Sequence, residues 1–136
     1  MDPSHLQEWF DIERDFNEQE KSILNELLSK PFKGIEILQK QLKYCKVNGR
    51  CTCGCLTVTL NASKDIREFP YPFRVPVEMH AKEQNELVIV MLHVVNGYVY
   101  ELEILRADSE PIKESIDFTD KEIFIESDLR EESNSV

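Results

Sequence analysis

The sequence predicts an α+β domain, with two or three N-terminal helices packed on one face of a four- to five-stranded antiparallel sheet. Three observations carry this expectation. Apolar residues recur at helical spacing as far as Cys45, the period changes to two beyond Gly49, and Asn96-Gly97 separates two alternating apolar runs. With 136 residues, 41% hydrophobic and 31% charged, the chain has the size and composition of one ordinary core. A single domain is expected over residues 1–129, followed by a flexible acidic tail over residues 130–136.

Asp2-Pro3 has the form of an N-cap followed by proline at the first helical position. With Leu6, Trp9, Phe10 and Phe16 at near-helical spacing, it predicts a first helix from Pro3 to Asp15. Asn17 and Glu20 form a capping-box pattern ahead of Ile23, Leu24, Leu27 and Leu28, a second helix that ends before Pro31. Ile35, Leu38, Leu42 and Cys45 share one face of a third. In "LTVTLN", Leu56, Val58 and Leu60 face one way and Thr57 and Thr59 the other, as in a half-buried strand. "ASKDIREFPYPF" reads as the least ordered internal loop. Val75, Val77 and Met79 then alternate with Glu78 and His80, and "LVIVMLHVV" is apolar on both faces, as a central strand is. The Asn96-Gly97 turn leads to a strand in which Tyr98, Tyr100, Leu102 and Ile104 alternate with Glu101 and Glu103. "EIFIESDL" adds a short strand or helix.

The chain carries a net charge of -10, with acidic ends and a basic segment leading into the cysteines. Nucleic-acid binding depends on Lys and Arg displacing counterions, so this balance argues against it. The same charge suits a basic protein partner or serves solubility alone. No run of 18 apolar residues and no signal-peptide pattern occurs, so neither a membrane span nor secretion is expected, and the cytoplasm is the expected location.

Three of the four cysteines fall in "GRCTCGC", Gly49 to Cys55. Zinc-bound sulfurs lie roughly 3.8 Å apart, whereas residues two apart in an extended strand are separated by roughly 6.6 Å. A chelate therefore requires a bend, which Gly54 can supply by taking a left-handed conformation. The spacing lacks the CxxC pairs typical of zinc sites and of redox thiols. The favoured reading is that the thiols are reduced, metal-free and partly buried in a strand or bulge. The alternative is a metal site from Cys45, Cys51, Cys53 and Cys55. Glu78, His80, Glu101 and Glu103 offer acid–base groups, but alternating glutamates also describe any solvent-facing strand. No phosphate loop, GxSxG elbow or HExxH motif is present.

The order "GRCTCGCLTV", "VPVEMH", "NGYVYELEI" and "SEPI" resembles a family of small bacterial proteins with a GRCxCGC motif, over Glu20 to Ile112. In that family proline often follows the last cysteine, where this chain has Leu56. The resemblance carries no activity and hence no catalytic residue. In size, acidity and layout the chain is also similar to bacterial immunity proteins. That likeness implies a non-catalytic protein, without cofactor, that neutralises a basic toxin such as a nuclease by direct binding. Glu101, Glu103, Asp117 and Asp120 are the expected contacts. The competing expectation is a small zinc protein whose cysteine cluster is structural or catalytic.

Overall fold

The computed structural model describes residues 7–131. They form one seven-stranded antiparallel sheet with two short helices, which corrects the expected sheet of four or five strands under two or three helices. In chain order the elements are β1 (Gln7–Arg14), α1 (Glu18–Leu27), α2 (Ile35–Tyr44), β2 (Lys46–Cys51), β3 (Val58–Asn61), β4 (Val77–Glu83), β5 (Glu86–Val95), β6 (Tyr98–Arg106) and β7 (Asp117–Ile125). Across the sheet they run β1-β2-β3-β6-β5-β4-β7. The apolar run that was expected to be central is β5, while the middle position belongs to its hairpin partner β6. No helix among the described residues is long and apolar enough to cross a membrane.

The segment expected to form the first helix is instead, over its described part, edge strand β1. It pairs with β2 at Gln7 to Trp9 and again at Arg14, and between these points the register shifts. That irregularity removes the period of two and leaves Trp9 and Ile12 exposed at spacings a helix would also give. β2 escaped the sequence reading because "KVNGRC" is short and holds a glycine, while the run "EIFIESDL", left open between strand and helix, falls at the end of β7, which begins at Asp117. The second and third expected helices are present as α1 and α2. In the capping box of α1, Asn17 Oδ1 accepts from the Glu20 amide at 2.8 Å, and Glu20 Oε1 accepts from the Asn17 amide at 3.0 Å.

Both helices lie on one face, over a core that includes Val58, Leu60, Met79, Val90, Leu92, Leu102 and Ile104. Gln41 of α2 is fully buried: its amide nitrogen donates to the carbonyls of Gly97 and Arg67, and its Oε1 accepts from the Val99 amide. These bonds fasten α2 to the β5–β6 turn. Phe69 anchors the 62–76 loop there as well, buried and donating its amide to the Gly97 carbonyl at 2.8 Å, so this loop is packed where the sequence suggested little order.

Asn96 (φ 53°) and Gly97 (φ 86°) form the expected tight turn. Two residues beyond it the β5–β6 register shifts, so that His93 faces Glu101 and Leu92 faces Leu102. Tyr100 sits at this bulge and is exposed, while Val99 takes the buried place expected of the tyrosines. The sheet face away from the helices carries Glu78, His80, His93, Glu101 and Glu103.

Candidate metal centre

Three sulfurs gather where β2 ends. The chain leaves the sheet after Cys51 and turns at Gly54, whose φ of +103° belongs to the left-handed region open to glycine. The turn is clamped from outside: the Ile112 amide donates to the Gly54 carbonyl at 3.2 Å, and a Cβ on Gly54 would meet Pro111 Cβ at 3.1 Å. The backbone is therefore bent where a strand or bulge was expected. Cys51 Sγ stands 3.0 Å from Cys53 Sγ, which stands 3.1 Å from Cys55 Sγ. All three sulfurs lie within 4.8 Å of one another. Cys53 is exposed and its neighbours are half-buried.

Cys45 is not part of this group. It caps α2, is buried, and donates its thiol to the Leu42 carbonyl at 3.6 Å. Burial pushes its thiol up to about 12. Within the cluster, burial followed by donation to Cys53 pushes Cys51 up to about 12. Burial acts to raise Cys53 too, but hydrogen bonds with Cys51 and Cys55 outweigh it and hold that thiol below its ordinary value.

Beside the sulfurs is a cavity of about 460 Å³, lined among others by Cys51, Cys53, Cys55, Thr57, Glu101 and Glu103. The sheet register explains the company. Thr59 pairs with Gly49 and with Glu101. Two residues along, the Cys51 amide donates to the Thr57 carbonyl, and the Ile104 amide donates to Thr57 Oγ1 at 2.9 Å. Cys51, Thr57 just ahead of β3, and Glu103 of β6 thus fall in one row, and all three line the cavity.

On the far side of that row, Glu103 Oε1 accepts from His93 Nε2 at 2.7 Å, and Glu101 Oε1 is 3.7 Å from the same nitrogen. Arg74 Nε donates to His93 Nδ1 at 2.9 Å. Because a guanidinium only donates, Nδ1 is an acceptor and the ring proton sits on Nε2. Burial raises the Glu101 carboxyl above its ordinary value. His80, by contrast, is turned to Glu78 at 2.6 Å and to the ring of Phe124.

The four acids expected to touch a partner do not form one patch. Glu101 and Glu103 are half-buried on β6 within the His93 network, whereas Asp117 and Asp120 are exposed on β7, three strands away. Sequence reasoning missed Arg74 and Thr57. The hairpin signal in the sequence points toward the His93–Glu101 pairing, but counting from Asn96-Gly97 without the bulge puts His93 opposite Tyr100 instead.

Compared with models of protein families, with curated proteins and with solved structures, the chain matches none of them.

Proposed function

We propose that the protein binds a thiophilic divalent metal ion, zinc foremost, through Cys51, Cys53 and Cys55. The carrying observation is the convergence of three sulfurs on a loop already bent at Gly54. Their separations of 3.0 and 3.1 Å widen by less than 1 Å to reach the roughly 3.8 Å spacing of thiolates around one zinc. Soft sulfur donors favour zinc over magnesium or calcium, which take oxygen ligands. Protein purified and reduced without chelators is expected to bind one equivalent of zinc. Cobalt in its place should give thiolate-to-metal charge-transfer absorption and tetrahedral bands. C45S should retain the metal and C53S should lose most of it. Wild-type protein that takes up neither ion overturns the reading.

A second reading is favoured by a different observation. The net charge of -10 and the exposed acids Asp117 and Asp120 on an edge strand suit an immunity-type protein that masks a basic toxin.

A further inference from the structure

Resting on the metal reading, we infer that the three-thiolate centre keeps a fourth position open toward the cavity and that a water there gives its proton to Glu103. The reaction class is hydrolysis of small carbonyl compounds that are uncharged or cationic.

Structural zinc sites close with four protein ligands, while catalytic ones hold three and a water. Among the described residues no fourth His, Cys, Asp or Glu ligand atom lies within 4.8 Å of all three sulfurs. Cys45 is buried against α2, and His80 is engaged with Glu78 on β4. His93 has Nδ1 turned to Arg74 and a proton on Nε2, so neither ring nitrogen has a lone pair free for a metal. The same reasoning excludes a cation held by His93, Glu101 and Glu103 themselves, although their ligand atoms converge.

Glu103 remains. Two strand spacings separate its Cα from that of Cys51, about 9.6 Å, with the short Thr57 side chain between. Its Oε1 is held on the β5 side, away from the cysteines, by His93. Direct ligation would break that bond. A water on the metal keeps it and uses the second carboxylate oxygen. Arg74 and His93 are thus positioning residues for Glu103.

The chemistry balances without a co-reactant. The metal-bound water transfers one proton to Glu103, and its oxygen forms a bond to the carbonyl carbon. The bond to the leaving amine or alcohol then breaks, and that group departs with the proton held by Glu103. The cavity sets the substrate charge. Glu101, Glu103 and Glu110 line it, and its one arginine, Arg106, is already matched by Glu83 at 2.8 Å and Asp108 at 2.5 Å. Anions are repelled, while neutral and cationic molecules are admitted.

The test uses full-length protein loaded with zinc or cobalt. Added imidazole should shift the cobalt spectrum of both wild type and E103Q, showing an exchangeable fourth position. The zinc protein should hydrolyse a neutral activated ester, p-nitrophenyl acetate, faster than an anionic analogue. E103Q should lose roughly 10²- to 10⁴-fold of that rate with metal content unchanged. H93Q should lose less, with a changed pH profile. A cobalt spectrum indifferent to imidazole, absence of ester hydrolysis, or an E103Q rate equal to wild type overturns the inference. E103Q protein that loses its metal makes Glu103 a ligand and overturns it equally. Failure of wild type to bind metal at all is distinguishable from these and strikes the metal reading itself.

Discussion

At the scale of single residues, the chemistry depends on which charged groups are already matched. Glu83 is fully buried, and its carboxylate accepts from Arg106 Nη1 at 2.8 Å and from the amides of Lys113 and Glu114 at 3.0 and 2.8 Å. Burial acts to raise this carboxyl, but the two amides and the guanidinium outweigh it and hold it below its ordinary 4.5. A carboxyl depressed in the folded state contributes stability that is fully present above its unfolded value. That contribution is lost as pH falls through the folded value. E83Q should therefore be less stable than wild type at neutral pH in denaturant unfolding, with the gap narrowing in acid below about pH 4.5. A gap independent of pH would show that the carboxylate charge is unimportant there. None of this was legible in the sequence, because Glu83 stands in an ordinary alternating strand and its partners come from the end of β6 and from a polar loop around residue 113.

Elements repeat the lesson with more success. The capping box at Asn17, the stripe of α2 and the Asn96-Gly97 hairpin were all readable, because each is a local pattern in which neighbouring residues decide the geometry. β1 was not, and β7 only in part, as a run open between strand and helix, since an edge strand is specified by the strand beside it and shows a weak pattern of its own. The bulge at Tyr100 belongs to the same class. It brings Leu92 opposite Leu102 inside the core and His93 opposite Glu101 outside, and both matches depend on one extra residue. Leu92 is fully buried on β5, as its place in the alternation predicts. Leu92→Ala should cost about 2 to 5 kcal/mol in denaturant unfolding, and a loss near zero would contradict its place in the core. The three-cysteine cluster was half legible. Gly54 was recognised as the residue able to bend the chain, but the clamp that makes it do so comes from Pro111 and Ile112, some 57 residues further on.

For the whole molecule, the sheet divides two kinds of chemistry. The helical face is apolar and closed, and the other face carries carboxylates and imidazoles on neighbouring strands, with the thiol cluster where the chain leaves β2. The expected layout, two or three helices on a sheet of four or five strands, is overturned by a seven-stranded sheet with two short helices, because the outer strands are the least patterned part of the chain. A net charge of -10 also acts at this scale. If a basic partner is steered by it, association should be fast at low salt and slow steeply as the Debye length falls to about 8 Å at physiological ionic strength. Stopped-flow mixing with a basic toxin domain measures this directly, and rates indifferent to salt would remove charge as the basis of recognition. The bend at Gly54 has a consequence of another kind. A flexible peptide must surrender backbone freedom to wrap an ion, at about 1 to 2 kcal/mol for each residue ordered. On the proposed metal reading, the five residues from Cys51 to Cys55, bent at Gly54 by the fold, would hold the chelating shape before an ion arrives. If the cluster binds metal, a ring backed by Pro111 would gain affinity from that rigidity and select ions by radius, as a loose loop of the same composition would not.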